Sequence, residues 1–121
     1  MTIKKLDFEF SIVKLNDLNG VDINKEFTFV AKTDEEISVV CRTEDVPANA
    51  INEEDGYKAF RIVGELDFSL VGILAKISGV FAENSIPVFC ISTYNTDYVL
   101  VKTEYFDRAL NVLMNIGYTI E

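Results

Sequence analysis

Hydrophobic and polar residues in the second half of the chain alternate in two different periods. Residues 58–64 alternate apolar and charged side chains, which is typical of a β-strand. From Leu70 onward the apolar residues recur at intervals of three and four, which predicts an amphipathic helix that ends near Asn84, ahead of Pro87. We expect Ser69 to be the N-cap of this helix.

The same half continues with a second set of strands and a second helix. Two β-rich runs, residues 88–94 and 97–102, predict a hairpin. A helix capped by Thr103 and stopped at Gly117 is expected next, followed by a last strand over residues 118–120. The resulting order β-α-β-β-α-β is that of the α+β ferredoxin-like fold, an antiparallel sheet with both helices on one face.

The first half of the chain predicts strands without a long helix. Alternation and β-rich composition indicate strands over residues 5–15, 27–32 and 37–42, the last two as a hairpin. In the first of these strands the inward side chains are expected to be Leu6, Phe8, Phe10 and Ile12. Thr43 is expected to cap only a short helix, and the Asn- and Gly-containing residues 16–26 favour no element.

The two halves are similar in sequence at an offset of 60 residues. Residues 39–44 (VVCRTE) align with residues 99–104 (VLVKTE), so a strand end and a helix start recur in register. Chance similarity between two amphipathic hairpins is the alternative. The interpretation we adopt is two tandem α+β units, a degenerate N-terminal unit over residues 1–56 and a complete βαββαβ unit over residues 57–121.

The composition indicates a small folded protein and disfavours several partners. Hydrophobic residues make up 49% of the 121 residues, which is enough for a core and excludes intrinsic disorder. With 11 basic and 20 acidic residues the net charge is −9, so nucleic acid and anionic membranes are not expected as partners. The chain start alternates polar and apolar residues, and no run approaches the length of a spanning helix, so we expect a cytoplasmic protein.

The absence of histidine removes most common forms of catalysis. A chain without histidine has no Ser-His-Asp triad, no Cys-His pair and no His-ligated metal site. Cys41 and Cys90 lie within apolar runs and are expected to be reduced, buried side chains. We therefore expect no enzyme, no metal and no cofactor.

The segment GELDFSLVG, residues 64–72, is the strongest candidate for a ligand site. It leads from a strand into a helix that begins Ser69-Leu70-Val71-Gly72, and the first amides of a helix have no intrahelical partner and favour a carboxylate. Gly72 permits close approach, while Asp67 and Asp97 are the candidate acceptors for an ammonium group. The alternative is structural: a helix cap, a packing glycine and a turn-stabilising aspartate.

Three strings in the chain resemble the ACT domain family. They are residues 64–78 (GELDFSLVGILAKIS), residues 86–102 (IPVFCISTYNTDYVLVK) and residues 33–41 (TDEEISVVC), and residues 91–97 are the most specific part. The resemblance is to small two-ACT bacterial proteins, cytosolic arginine sensors and aspartate kinases. It implies βαββαβ regulatory modules that bind amino acids at interfaces between paired domains.

The resemblance also implies particular ligand contacts. They lie in the strand–helix loop, at the helix start and on the hairpin, at Asp67, Phe68, Gly72, Ile73, Thr93, Tyr94, Thr96 and Asp97. Leu70 stands where the arginine sensors carry a glutamate, which argues against arginine as the ligand. Phe68, Leu70 and Val71 suit a smaller or apolar amino acid better.

Three functions follow as hypotheses. The first is a non-catalytic regulatory module, expected to be a homodimer, that binds a small amino acid between ACT units. The second is a ligand-free oligomerisation module with a vestigial site. The third is an enzyme such as an acylphosphatase, which shares the topology but relies on an arginine in its phosphate-cradling loop, whereas residues 65–69 are acidic and contain no arginine.

Overall fold

The chain divides into two compact units in a computed structural model that describes residues 1–64 and 72–121. The larger unit comprises Met1–Asp7 and Lys58–Glu121, and the smaller unit comprises Phe8–Tyr57. Strand β5 (Asn52–Ile62) contributes its first residues to the smaller unit and its last residues to the larger one. The sequence predicts domain boundaries of 1–56 and 57–121. These differ from the two units in that the first seven residues belong to the larger unit, and the domain boundaries otherwise remain a prediction.

The larger unit has the predicted βαββαβ order, with one additional strand. Besides the end of β5, its elements are β1 (Thr2–Lys5), α1 (Ile73–Glu83), β6 (Phe89–Ser92), β7 (Asp97–Lys102), α2 (Thr103–Asn115) and β8 (Thr119–Ile120). The strand order is β6-β7-β5-β1-β8. Ile3 of β1 pairs antiparallel with Ile62 and parallel with Ile120, so the sheet is mostly but not wholly antiparallel.

The added strand corrects the single strand predicted over residues 5–15. The structure has two strands there, β1 ending at Lys5 and β2 (Phe10–Leu15) in the smaller unit. Polar and apolar residues keep alternating through the break, so the pattern does not reveal it. The set of buried side chains also differs from the prediction. Leu6 and Phe10 are buried as expected, but Phe8 and Ile12 are only partly buried. The other buried residues of β2 are Ser11, Val13 and Leu15.

Both helices of the larger unit pack on one face of its strands. Phe81 of α1 meets Phe60 of β5 edge to face with ring centroids 6.2 Å apart. The buried side chains of this core include Ile3, Phe60, Ile62, Ile77, Phe81, Val99, Val101, Phe106, Ala109, Leu110 and Leu113. Each fully buried large apolar side chain contributes about 1.5–3 kcal/mol, so this cluster is the main source of stability in the unit.

Of the four helix ends predicted from the sequence, the ends of α1 and α2 at their C-termini agree with the structure. α1 ends with Asn84 as its C-cap, and Gly117, at φ +100°, follows the C-cap of α2 as predicted. The predicted cap Thr103 is instead the first residue of α2, and Lys102 is its N-cap without a side-chain hydrogen bond. The predicted cap Ser69 lies outside the described residues.

The smaller unit keeps the strands of the same fold and lacks its α-helices. Its strand order is β3-β4-β2-β5, with β3 (Phe29–Lys32) and β4 (Ile37–Arg42) forming the predicted hairpin. A 3-10 turn at Thr43–Asp45 stands in the place of the second helix. Among residues 1–64 and 72–121, no helix is long and apolar enough to cross a membrane.

Two loops, residues 16–28 and residues 46–51, take the place of the missing helices and contact each other. The Asn49 side-chain amide donates to Asp17 Oδ1 at 3.1 Å, and a Cβ on Gly20 would stand 2.4 Å from Asn49 Oδ1. These loops supply Leu18, Val21, Val46 and Ala50 to cover the small core of Val13, Leu15, Val39 and Cys41. Loop-to-loop contact thus replaces helix packing in this unit.

The internal repeat is visible in the strand register. β6 and β7 begin 60 positions after β3 and β4, and Phe29 pairs with Val40 as Phe89 pairs with Leu100. Matching lengths, spacing and register in two hairpins are the geometry that the offset in sequence predicted. The prediction of tandem ferredoxin-like units is confirmed.

Candidate functional site

The hairpin turn at Thr93–Thr96 is held by the side chain of its first residue. The Thr93 backbone N–H donates to the Thr96 carbonyl at 2.8 Å, and Thr93 Oγ1 donates to the same carbonyl at 2.9 Å. Thr93 Oγ1 also accepts the Thr96 N–H at 3.3 Å. Threonine hydroxyls commonly close turns in this way, so the side chain fixes the shape of the turn.

Thr96 joins this turn to the strand that leads into the loop before α1. Its side chain is 8% exposed, and its Oγ1 donates to the Ile62 carbonyl at 2.8 Å. Ile62 is the last residue of β5, shortly before the segment 65–71. The predicted hairpin residues and the beginning of the predicted loop therefore lie at the same end of the larger unit.

Asp97 provides a charged acceptor on the hairpin. It lies opposite Ser92 in the β6–β7 ladder, and the Ser92 hydroxyl donates to Asp97 Oδ1 at 2.6 Å. Burial, and next the charge of Asp97, raise the pKa of the Cys90 thiol. A partly exposed carboxylate held at one oxygen is able to accept hydrogen bonds from an ammonium group at the other.

Tyr94 has a different environment from its neighbours in the turn. It is 80% exposed, whereas Thr96 is buried. The resemblance to known ligand sites predicted both as ligand contacts. In this chain the Thr96 hydroxyl is hydrogen-bonded to the backbone, whereas most of the Tyr94 side chain is exposed.

Gly72 and Ile73 form the described start of α1. Gly72 is the N-cap in the left-handed conformation at φ +81°, and its carbonyl accepts the Lys76 N–H at 2.9 Å. Among the described residues, the helix has no side-chain cap at Gly72 and no acidic residue in its first turn, where the positive end of the helix dipole favours an anion. The other predicted loop contacts, Asp67, Phe68, Ser69, Leu70 and Val71, lie outside the described residues.

A cavity of about 290 Å³ opens at the start of α1. Gly72, Ile73 and Lys76 form one wall, and Met1 and residues 116–118 form the others. None of the hairpin residues 93–97 is among the described residues that line it. The sequence prediction did not include Met1 or residues 116–118. Met1 lies near Tyr118 because β1 pairs with β8, where the Thr119 N–H donates to the Met1 carbonyl at 3.0 Å.

The two cysteines are free and poorly suited to act as nucleophiles. Burial, followed by the charges of Asp45 and Glu53, raises the pKa of Cys41 to about 11. Cys90 is only partly buried, less than the sequence predicted, and its pKa is raised as well. Both thiols are therefore protonated at neutral pH. In the described part of the chain no three His, Cys, Asp or Glu residues are grouped to hold a metal ion.

Comparison with a family model and with solved structures agrees with this fold. The model described as the ACT domain matches residues 52–115. Protein Atu0741 from Agobacterium tumefaciens is 24% identical with a TM-score of 0.86, over 99% of this chain and 91% of that one. The regulatory subunit of aspartate kinase from Thermus thermophilus is 12% identical with a TM-score of 0.63, over 93% of this chain and 95% of that one.

A third structure extends the similarity to another bacterium. The Vibrio cholerae protein VC0802, described as a possible transport protein of unknown function, is 19% identical with a TM-score of 0.75, over 94% of this chain and 88% of that one. No curated protein matches the sequence significantly. At sequence identities of 12–24%, these structural comparisons support the fold alone.

Proposed function

Because the chain belongs to the ACT domain family, we propose that it is a non-catalytic regulatory module that binds a small amino acid at an interface between ACT units. Regulatory subunits and domains of aspartate kinases share its fold. The observation that supports the proposal most is the bond from Thr96 to the Ile62 carbonyl, because it holds the hairpin that carries Asp97 beside β5, the strand that precedes residues 65–71.

Two groups of opposite polarity supply the recognition in this proposal. The ligand carboxylate binds the backbone amides at the start of α1, at Gly72 and Ile73. The ligand ammonium binds the carboxylate of Asp97, whose other oxygen the Ser92 hydroxyl holds. Thr93 and Thr96 fix the hairpin that carries Asp97, and Tyr94 closes the site from outside.

The ligand class follows from the side chains of the loop. Phe68, Leu70 and Val71 are apolar in the sequence and carry no charge that would pair with a guanidinium group, so a small or apolar amino acid fits the proposal better than arginine. Binding of such a ligand stabilises the folded, paired state in proportion to its affinity, which is the basis for regulation of a partner. We place the protein in the cytoplasm, as a homodimer.

Thermal unfolding of ligand-free protein against each of the twenty amino acids tests the proposal. Protein freed of bound ligand by unfolding and refolding should gain about 2.7 kcal/mol at a ligand concentration a hundred times its Kd. Asp97→Asn should abolish the response, whereas Asp107→Asn, which removes an equally charged exposed side chain from α2, should keep it. Absence of any shift at millimolar concentrations of all twenty amino acids contradicts the proposal.

An oligomerisation module without a ligand is the second candidate, and the surface of β6 favours it. Phe89 is 37% exposed and Tyr94 is 80% exposed, on a strand and turn whose residues 85–96 carry no charged side chain in a chain of net charge −9. Uncharged edge strands are prone to pair with a second copy. A dimer whose mass and melting temperature no amino acid alters supports this candidate over the first.

A further inference from the structure

The cavity at the start of α1 combines apolar walls with one cation. Its volume is about 290 Å³, near the lower limit for small-molecule sites in proteins. The apolar side chains that line it are Met1, Ile73, Ile116 and Tyr118. Lys76 is the charged residue of the lining, and it lies one helical turn after Gly72 on the same side of α1.

The charge of Lys76 has no counterpart in the described surroundings. The described residues that line the cavity include no aspartate or glutamate. Within residues 1–64 and 72–121 the ion pairs involve Arg42 and not Lys76. Lys76 is exposed, and its positive charge makes this part of the concave surface locally attractive to an anion.

Apolar side chains remain exposed around this concave surface. Met1 is 53% exposed and Ile116 is 36% exposed, while Tyr118 is buried at 8%. Covering Met1 and Ile116 with an apolar group would remove that surface from water at a gain of about 25 cal/mol per Å². A ligand that fits the cavity therefore has an apolar part and one negative charge.

We propose that this cavity is a separate binding site for a small apolar monocarboxylate that has no ammonium group. The carboxylate pairs with the Lys76 ammonium, and the hydrocarbon part packs against Met1, Ile73 and Ile116. A zwitterionic amino acid is disfavoured here, because its ammonium group would be held beside Lys76, and the described lining residues offer no carboxylate to accept it.

The two proposed sites differ in the charge pattern that they select. The amino-acid site depends on Asp97, whereas the cavity depends on Lys76 and contains no hairpin residue. They share Gly72 and Ile73 as neighbours. The cavity site does not rest on the amino-acid site, so one can exist without the other.

Titration of the isotopically labelled full chain with isocaproate tests the cavity site by NMR. The amide signals of Gly117 and Tyr118, which line the cavity and are not part of the amino-acid site, should shift saturably with isocaproate. Leucine and isocaproamide, which have the same hydrocarbon tail but add an ammonium group or lack the charge, should each bind at the cavity at least about tenfold more weakly. Equal affinity for isocaproate and isocaproamide would overturn the proposal.

Two variants complete the experiment. Lys76→Gln should weaken isocaproate binding about tenfold, and Lys25→Gln, which removes another exposed lysine from the smaller unit, should leave it unchanged. Both substitutions affect exposed side chains, so folding is retained. Unchanged affinity in Lys76→Gln, or no saturable shift of Gly117 and Tyr118 in the parent protein, overturns the cavity site. The amino-acid response of Asp97 variants reports on the other site independently.

Discussion

Thr33 and Thr93 make the same hydrogen bonds in two hairpins, 60 positions apart in the chain. The Thr33 N–H donates to the Glu36 carbonyl at 2.9 Å, as the Thr93 N–H donates to the Thr96 carbonyl at 2.8 Å. Each threonine hydroxyl also bonds both the N–H and the carbonyl of the residue three positions later. The turn is therefore a repeated element of the fold, and only its second copy carries the proposed site.

Thr96→Val should destabilise the larger unit while leaving the shape of its side chain nearly unchanged. The substitution removes the bond to the Ile62 carbonyl and leaves a buried acceptor without its partner, at a cost of about 1–3 kcal/mol. Urea unfolding measures this cost. Thr96→Ser, which keeps the hydroxyl, is the control and should lose less. Equal losses in the two variants would show that the hydrogen bond contributes nothing.

Gly56→Ala and Gly79→Ala should change stability in opposite directions. A Cβ at either glycine meets no atom within 4 Å, but Gly56 has φ +82° and Gly79 is a residue of α1. Alanine is strained at positive φ, at a cost of about 1–2 kcal/mol, whereas in a helix it gains about 0.5–1 kcal/mol over glycine. Thermal melts of both variants compare them with the parent. A stabilised Gly56→Ala would contradict the left-handed conformation at Gly56.

Gly20→Ala should destabilise the smaller unit through Asn49. The new Cβ would come 2.4 Å from Asn49 Oδ1 and displace a side chain that donates to Asp17. We expect a loss of about 1–3 kcal/mol, smaller when Asn49→Ala is added, because the clash is then relieved. A double-mutant cycle by urea unfolding measures the coupling. Strictly additive losses would show that the two loops do not depend on this contact.

Cys41 should make stability fall at alkaline pH. Its pKa is raised from 9.0 to about 11 by burial, with Asp45 and Glu53 adding to the effect. The folded state therefore holds the thiol proton more tightly than the unfolded state. Its contribution is fully present below about pH 9 and is lost as the pH rises from 9.0 to about 11. The difference in unfolding free energy between the parent and Cys41→Ala, measured across this range, should become smaller as the pH rises. A constant difference would contradict the raised pKa.

The sequence predicts the parts of the fold that depend on local pattern. The apolar stripe from Ile73 to Phe81, the stop at Gly117 and both hairpins follow from periodicity and turn chemistry, and the structure has them all. The break between Lys5 and Phe10 does not follow, because alternation persists through residues that leave the ladder. Pattern alone therefore identifies strands more reliably than it assigns them to partners.

The candidate site likewise has a part that the local sequence pattern predicts and a part that it does not. Thr93, Thr96 and Asp97 lie together on one turn because they are close in sequence, which a motif captures. The cavity depends on Met1 beside Tyr118, a neighbourhood created by pairing between the two ends of the chain. No local pattern contains that information, so Lys76 and Ile116 were not predicted as parts of a site.

The central claim is that a small amino acid binds between the start of α1 and the hairpin that carries Asp97. A crystal structure of the protein with the amino acid that gives the largest thermal shift tests it most directly. We predict density for the ligand with its ammonium group at the Asp97 carboxylate and its carboxylate at the amides around Gly72. A position filled by the protein's own side chains, or an Asp97 carboxylate turned away into solvent, would contradict the account.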